Sequence, residues 1–405
     1  MSINVFVYLG VIFAAAYVVK YLTHKLKIPE VTGYVLLGTI LGVSVIRFLN
    51  QGVLDELQPI STVALGIIAF IIGVELRLDN LKKLGMSVLA IVILEGFGAF
   101  ASVTLVLYYV ANQTIELSLL LGAVAAATAP AATVAVIRQY KAKGTLTSTI
   151  LAVVGIDDTI ALVIYVFVSS FVKSSLTGID ANLLSILGTA FLSIGLSLLV
   201  GIVLSLAYIL VLRKVRNNEW IEVLLAAFLL LTLGVSEELG ISELLSMMVF
   251  GSFVVNASPG LAKRSMGIVE WFSPLFLAAF FVLGGAHLNF GLILDIGFIG
   301  ILFFLARSAG KIGGASLGAV IGRASKEVKK FIGFALLPQV GVALALALAI
   351  NKDFNIPRFG DVGAHMASVV INVLLLTTIL TEIVGPILTR TALTRAGETG
   401  LQERG

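Results

Sequence analysis

The chain has 405 residues, of which 59% are hydrophobic and 12% charged, and its mean hydropathy is +1.09. Soluble globular domains carry about 25% charged residues, so the composition excludes an ordinary soluble protein and indicates a polytopic helical membrane protein. The formal net charge is +4, and the basic residues lie mostly in short loops, which is not the pattern of a nucleic-acid-binding surface. The absence of cysteine excludes disulfides and thiolate metal sites.

Apolar runs of about 17 to 25 residues, long enough to cross a bilayer, recur along the whole chain. The first run has no basic region before it and no small-residue cleavage site after it, so we interpret it as a membrane helix and not as a removed signal. The prediction is an all-α membrane protein with about thirteen transmembrane segments. These segments are 3–22, 30–46, 58–76, 84–111, 117–137, 147–172, 182–212, 219–236, 240–256, 267–286, 292–321, 331–350 and 363–389.

The distribution of positive charge agrees with this number of segments. The connections after odd-numbered segments, with the C-terminal tail, hold 21 of the 27 Lys and Arg, and those after even-numbered segments hold 4. The other two, Arg307 and Lys311, lie inside segment eleven. Because cytoplasmic loops are enriched in Lys and Arg, we expect a multi-pass inner (cell) membrane protein with its N-terminus outside and its C-terminus in the cytoplasm.

Six segments, one connecting helix and six more place the second set in inverted orientation to the first, as in inverted-repeat transporters. Segments five and twelve then correspond, and each contains a proline that breaks a regular helix. Unwound backbone at membrane depth is tolerated only where it is buried in protein or lines a cavity, so we predict that the two breaks cross at a transport site. The alternative is that both prolines only kink packed helices. The breaking sequences are Thr128-Ala129-Pro130-Ala131-Ala132-Thr133 and Leu337-Pro338-Gln339-Val340-Gly341.

Segment six carries two adjacent acids, Asp157 and Asp158, in an otherwise apolar run. An ionised group at this depth is costly, so the pair predicts a functional site with a cationic partner, either Arg307 or Lys311. Arg307 and Lys311 are four residues apart and share one helix face. A purely structural salt bridge is the alternative. Adjacent residues on one helix point about 100° apart, which argues against an intramembrane aspartyl protease and hence against an enzyme.

Four stretches give the sequence a resemblance to cation:proton antiporters of the sodium/proton exchanger superfamily, on the bacterial and archaeal branch with two adjacent aspartates. They are Ile28-Pro29-Glu30-Val31-Thr32-Gly33-Tyr34 followed by Gly38 and Gly42; Gly73-Val74-Glu75-Leu76; Thr128-Ala129-Pro130 followed by Gly155-Ile156-Asp157-Asp158; and Arg307 with Lys311.

The resemblance implies a homodimer in which a scaffold holds a mobile core containing the two crossed helices. The implied parts are scaffold at 1–80 and 216–290, core at 81–175 and 291–392, a linker helix at 176–215 and a short cytoplasmic tail at 393–405. The tail contains no nucleotide-binding domain, which favours a simple exchanger. Partners other than the lipid bilayer and a second copy, and cofactors other than the transported ions, are not expected.

By resemblance, Asp158 is the primary carboxylate for the proton or the cation, and Asp157 is the partner of Lys311. Alkali cations prefer hard oxygen ligands, so Thr128 and Thr133 are further candidates. Lysine can lose its charge when desolvated whereas arginine keeps it, so we expect Lys311 to carry a proton and Arg307 to be a structural counter-charge. Two protons per cation, and thus electrogenic exchange, are expected.

Three acids are secondary candidates. Glu75 matches a position of the family, whereas a packing or interface role is at least as consistent for Glu95, and Glu382 is expected to be a hydrogen-bonded core partner. Many relatives have Arg and Glu after the proline of segment twelve, but here Gln339 and Gly341 take those places, which removes one partner for the two cations.

Sodium is the expected ion, with lithium and potassium as alternatives, because the sequence does not fix the size of the cavity or its ligand field. A potassium/proton antiporter on the same fold is therefore the main alternative function. A sodium-coupled organic-anion symporter also has crossed, broken helices, but it does not need adjacent aspartates with a lysine on a neighbouring helix. The pH of activation is not predicted.

Overall fold

The computed structural model describes residues 4–26, 30–79, 85–176, 183–212 and 218–399. In these ranges the protein is helical and has no β-strand, which confirms the predicted all-α class. In lipid, backbone N–H and C=O groups must bond within the protein, and a helix meets that need within one segment. Some predicted features lie outside the described residues. They are Ile28 and Pro29 in the stretch Ile28–Tyr34, the predicted domain boundaries at 80–81 and 215–216, and the tail beyond residue 399.

The helices are numbered here in chain order. Three 3₁₀ turns, Phe290–Leu292, Ile332–Leu336 and Pro357–Phe359, interrupt the C-terminal part of the chain. The α-helices are α1 Val5–Leu26, α2 Glu30–Leu41, α3 Gln51–Glu56, α4 Gln58–Glu75, α5 Met86–Tyr109, α6 Ile115–Ala126, α7 Pro130–Gln139, α8 Thr145–Leu176, α9 Leu183–Leu212, α10 Asn218–Glu238, α11 Glu243–Ala257, α12 Pro259–Ala286, α13 Ile293–Ile321, α14 Lys326–Phe331, α15 Gly341–Phe354 and α16 Gly360–Arg395.

Within the described ranges, nine helices are long and apolar enough to cross a membrane. The pair Lys326–Leu336 and Gly341–Phe354, bent by 47°, provides a tenth if it counts as one broken span. The helices α2, α6 and α11 are apolar but shorter. These features support a multi-pass membrane protein, while the number of thirteen spans and the inverted repeat stay predictions.

The chain divides into two compact units, each assembled from separate stretches of sequence. The roles of scaffold, linker and mobile core stay predictions. The first unit contains Met1–Leu22, Tyr34–Lys82 and Val166–His287, and the second contains Thr23–Gly33, Lys83–Tyr165 and Leu288–Gly405.

In the first unit, glycines bring helix backbones into direct contact. A Cβ atom added to Gly73 on α4 would overlap the carbonyl of Met248 on α11. A Cβ atom added to Gly38 on α2 would likewise overlap the carbonyl of Val282 on α12. Small residues at such crossings allow van der Waals packing between backbones, which drives helix association in lipid.

The second unit repeats this device on a longer scale between α5 and α13. Gly310, Gly314 and Gly318 recur every fourth residue on α13 and face the backbone of α5. A Cβ atom on Gly314 would overlap the Leu94 carbonyl, and one on Gly310 would overlap the carbonyl of Gly98. Because no side chain separates the two backbones along this stripe, the register of α5 against α13 is fixed closely.

Candidate functional site

The first helix break separates α6 from α7. Residues 127–129 are not helical, and the second half-helix starts at Pro130. Proline suits the first position of a helix because its missing N–H has no intrahelical partner there. At the end of α6, the last four carbonyls have no intrahelical donors and carry partial negative charge, so they need partners from other parts of the protein.

Four successive carbonyls at this end of α6, those of residues 124–127, accept hydrogen bonds from buried side chains of the same unit. Two of the three donating side chains are cationic, so they also oppose the negative end of the helix dipole. The bonds run from Gln339 Nε2 to Val124 O (2.9 Å), from Arg307 Nε to Ala125 O (3.0 Å), from Lys311 Nζ to Ala126 O (2.8 Å) and from Arg307 Nη2 to Ala127 O (2.8 Å).

The second break, residues 337–340, separates the 3₁₀ turn at Ile332–Leu336 from α15. Carbonyls in this break and in the turn before it are also paired, and one bond joins the two breaks directly through their backbones. The two interrupted helices therefore meet at their breaks, as the prolines predicted. The donors and acceptors are Thr133 Oγ1 to Ala335 O (2.9 Å), Arg307 Nη1 to Leu337 O (2.7 Å), the Ala129 N–H to Pro338 O (2.8 Å) and Thr381 Oγ1 to Gln339 O (3.3 Å).

Arg307 holds the two breaks together. Its side chain is completely buried, and three of its nitrogens donate to carbonyls of both breaks. The guanidinium group presents its donors in a rigid planar fork, which an ammonium group does not reproduce. Arg307 was expected to be a structural counter-charge. These three hydrogen bonds go to backbone carbonyls at the two breaks and not to a carboxylate.

Lys311 lies one turn further along α13, also completely buried, and contacts three other elements. Its ammonium group is 2.9 and 3.0 Å from the two carboxylate oxygens of Glu95 on α5. It also lies 2.6 Å from the hydroxyl of Thr128 and 3.3 Å from Asp157 Oδ2. Lys311 therefore connects α13 with α5, α8 and the first break, and its contact with Glu95 is the shorter of its two ion pairs.

The two adjacent aspartates have different surroundings. Asp157 is completely buried, and its Oδ2 accepts a hydrogen bond from the Thr128 hydroxyl as well as contacting Lys311. Asp158 is partly exposed. This difference follows from the helix geometry, in which neighbouring side chains diverge by about 100°. The two carboxylates therefore leave the helix in different directions, and only Asp157 is completely buried.

The remaining candidates have other partners or positions. The hydroxyl of Thr133 on α7 donates to the Ala335 carbonyl in the 3₁₀ turn, so it joins the elements that flank the two breaks. Glu382 on α16 is half-buried and accepts a hydrogen bond from Thr32 (3.0 Å), and the core role expected for it stays a prediction. Glu75 lies at the exposed end of α4 in the first unit.

Glu95 is the residue that sequence reasoning undervalued. The sequence predicts only a secondary role for it, yet its side chain is completely buried and both of its carboxylate oxygens contact Lys311. The sequence has Gln339 and Gly341 where many relatives have Arg and Glu, and this difference was expected to remove one acidic partner of the two cations. Glu95 on α5 provides an acidic partner for Lys311 instead. A signal was present in the sequence, because Glu95 is the one charged residue in α5.

The cluster combines three carboxylates, two cationic side chains and a hydroxyl group around two helix breaks. Carboxylate and hydroxyl oxygens are hard ligands, which suit an alkali cation or a proton. Among the residues that the structure describes, no group of three or more His, Cys, Asp or Glu is arranged to hold a metal ion. Binding of a monovalent cation at Asp157 and Asp158 stays a prediction.

Comparisons with known proteins agree with these features. The family model described as "Sodium/hydrogen exchanger, transmembrane" matches residues 11–395 of the chain. A structure of the sodium proton antiporter MjNhaP1 from Methanocaldococcus jannaschii at pH 8 is similar with a TM-score of 0.77 at 19% identity, covering 97% of this chain and 98% of that chain. A 3D EM map structure of the same antiporter has a TM-score of 0.67 at 20% identity, covering 98% of both. No curated protein gives a significant match to the sequence.

Proposed function

Because the chain belongs to the sodium/hydrogen exchanger family, we propose that it exchanges a monovalent cation, in the first place sodium, for protons across a membrane. The family and the fold are those of transporters. The observation that carries the proposal is the contact of the buried Lys311 with Asp157, next to the partly exposed Asp158 and beside two crossed helix breaks.

In this proposal the cation and the proton compete for one site. Asp158 is the primary carboxylate, as the resemblance implies, and it is the partly exposed member of the pair, whereas Asp157 is bonded to Lys311 and Thr128. A cation that binds the aspartates expels a proton, and protonation expels the cation. Thr128 is placed to offer an oxygen ligand, since its hydroxyl already contacts Asp157.

Exchange further requires that the loaded site reaches each side of the membrane in turn, whereas the empty charged site does not. The cost of burying an uncompensated charge supports this rule. We propose alternating access in which the core moves against the scaffold of a homodimer, with the N-terminus outside and the C-terminus in the cytoplasm of an inner membrane. Sodium export driven by the proton gradient, and thus a part in pH homeostasis, is the proposed direction.

The number of protons exchanged for each cation depends on Lys311. If it gave up its proton when the cation bound, two protons would leave for each cation, as the resemblance led us to expect. Exchange would then be electrogenic, and the membrane potential would contribute about 2.3 kcal/mol per 100 mV for each net charge moved. That expectation stays a prediction and depends on how Lys311 is held.

The test is exchange by the purified protein in liposomes that contain a pH-sensitive dye. A pH gradient is imposed, and sodium, lithium or potassium is added to wild type, to Asp158→Asn and to Asp79→Asn. Asp79 is a matched control, because its side chain is 67% exposed in an ion pair with Arg77 on the surface. We expect cation-dependent dissipation in wild type and Asp79→Asn, and its loss in Asp158→Asn.

The order of the three cations in the same assay separates sodium/proton from potassium/proton exchange. An Asp158→Asn variant as active as wild type would contradict the role of Asp158. If no cation dissipates the gradient in wild type, the antiporter proposal fails and a sodium-coupled organic-anion symporter becomes the leading alternative.

A further inference from the structure

The helix that carries both aspartates, α8, has no side-chain cap from its own sequence. It starts at Thr145, directly after a glycine. The first N–H groups of a helix have no intrahelical acceptor, and the side chain of the preceding residue usually accepts from them. Gly144 has no side chain, so the acceptor must come from elsewhere. It comes from Glu398, which lies 252 residues after Leu146 in the sequence.

The carboxylate of Glu398 accepts three hydrogen bonds from the first turn of α8. Its Oε1 accepts from the N–H of Leu146 (2.8 Å), and its Oε2 accepts from the N–H and from the hydroxyl of Thr147 (both 2.7 Å). A carboxylate at this position also opposes the positive end of the helix dipole. The backbone carbonyl of Glu398 accepts from the N–H of Lys143 (2.9 Å), in the connection between α7 and α8. This contact of Glu398 with residues 143–147, the clasp, therefore uses both its side chain and its backbone.

Two glycines allow the clasp to form. At the end of α16, the N–H of Gly397 donates to the Thr394 carbonyl (3.0 Å) and the N–H of Glu398 donates to the Leu393 carbonyl (3.1 Å), which is the Schellman pattern. Gly397 has a φ of 73°, which glycine adopts without the cost that a Cβ atom adds, and the turn directs Glu398 toward α8. On the other side, a Cβ atom added to Gly144 would overlap the carboxyl group of Glu398. Glycine at 144 therefore lets the carboxylate approach the N–H groups of α8.

Two further contacts attach the same end of α16 to α7. The guanidinium group of Arg390 lies over the ring of Tyr140, 5.1 Å from its centre, directly after the last residue of α7. Leu393 is completely buried in a hydrophobic cluster that also contains Val136 of α7 and Leu146 of α8. The end of α16 therefore joins α7, which starts at the first break, to α8, which carries the aspartates.

The clasp and the ion site lie at two ends of the same helix pair. Asp157 lies about three turns after Leu146, or roughly 16 Å along the axis of α8. Between them, α8 presents one buried apolar face to the cluster, formed by Leu146, Ile150, Val153 and Val154. At the ion site, α8 meets the residues before α7 again, because the Thr128 hydroxyl donates to Asp157. A shift of the first turn of α8 would therefore pass along a continuous helix to the contact of Asp157 with Thr128.

We propose that Glu398 is a positioning residue for cation binding, because the clasp fixes α8 against α7 and thereby sets the place of the aspartates beside the first break. Glu398 does not touch the ion and acts only through α8. The inference rests on the proposed function, since it concerns the affinity of the same site for the cation. Release of the clasp is expected to weaken cation binding in a protein that still folds.

The test is the rate of proton movement in liposomes as a function of sodium concentration, which gives the apparent KM and the maximal rate separately. Glu398→Ala removes the carboxylate, whereas Gly144→Ala keeps it but displaces it from the N–H groups of α8. Coupling between separated sites typically changes affinity by about 5–150-fold, so we expect the apparent KM for sodium to rise at least about fivefold in both variants. Glu398→Gln retains an acceptor oxygen without the charge and should lie between Glu398→Ala and wild type. Glu56→Gln, at an exposed position, is the control and should keep the wild-type KM.

A cap that only stabilises the fold would give a different pattern. Loss of stability lowers the number of folded transporters, which reduces the maximal rate and leaves the apparent KM unchanged. Folded variants at Glu398 and Gly144 with the wild-type KM would therefore overturn the inference and leave the antiporter proposal intact. If Glu398→Ala does not fold, Gly144→Ala and Glu398→Gln decide by the same criterion. Wild type that moves no protons with sodium, lithium or potassium would overturn both.

Discussion

Replacement of Arg307 by lysine is expected to destabilise the protein although the charge is retained. Three nitrogens of the guanidinium fork donate to the carbonyls of Ala125, Ala127 and Leu337, at 2.7 to 3.0 Å. A lysine side chain has one ammonium nitrogen in place of the three guanidinium nitrogens that are spread over a plane. We therefore expect it to reach one of these carbonyls and to leave the other two without a donor.

A buried acceptor without its partner costs about 1–3 kcal/mol, so two of them predict a loss of roughly 2–6 kcal/mol for Arg307→Lys. At about 2 °C for each kcal/mol in a large domain, the midpoint of thermal unfolding should fall by roughly 4–12 °C. Arg307→Met removes the third bond and the charge opposite the end of α6, and it should cost more.

Thermal unfolding of the purified protein in detergent, followed by tryptophan fluorescence, measures these shifts. Arg323→Lys is the matched control, because Arg323 is an exposed arginine just beyond the end of the same helix. Its change should stay within about 0.5 kcal/mol. If Arg307→Lys unfolds at the same temperature as Arg323→Lys, the two breaks do not depend on the guanidinium fork and the account of Arg307 is wrong.

Two further substitutions test how helices are held beside the site. Gly314→Ala adds a Cβ atom that overlaps the Leu94 carbonyl, so the free energy of unfolding should fall by about 1–3 kcal/mol and the exchange rate should fall too. The Cβ atom added in Gly313→Ala points into open space, so neither quantity should change in that control. Equal effects of the two alanines in unfolding and exchange assays would contradict the backbone contact. The carboxylate of Glu398 accepts hydrogen bonds from the N–H groups of Leu146 and Thr147 at the start of α8. Glu398→Gln should lower the free energy of unfolding by about 0.5–2 kcal/mol. The control Glu56→Gln, at an exposed position, should leave it unchanged. An unchanged midpoint for Glu398→Gln would show that this cap does not stabilise the helix.

The helices and their breaks could be predicted from sequence because lipid leaves the backbone few choices. An apolar run must become a helix, and a proline within it forces an interruption that other groups must satisfy. The sequence 128–130 therefore predicted a break that the structure has at 127–129, and Pro338 predicted the other at 337–340. Both predictions rest on local chemistry within a few residues.

The partner of Lys311 could not be predicted in the same way, because it lies 216 residues away in sequence. Which side chain of α5 meets Lys311 depends on the register of two helices. That register is fixed by backbone contacts at Gly310 and Gly314, which no count of charges reveals. A glycine at every fourth position beside a buried lysine does indicate a helix packed against that face, and a single acid on an apolar helix then becomes the natural partner.

The two carboxylates around Lys311 therefore differ in how firmly they are attached to it. Glu95 belongs to α5, whose backbone contacts the backbone of α13 at Gly310, Gly314 and Gly318. This close packing sets the distance from Glu95 to Lys311. Asp157 belongs to α8 and reaches Lys311 through one oxygen that also binds Thr128 in the break. The contact of Lys311 with Asp157 therefore depends on the position of Thr128 in the break, whereas its contact with Glu95 is fixed by the packing of α5 against α13.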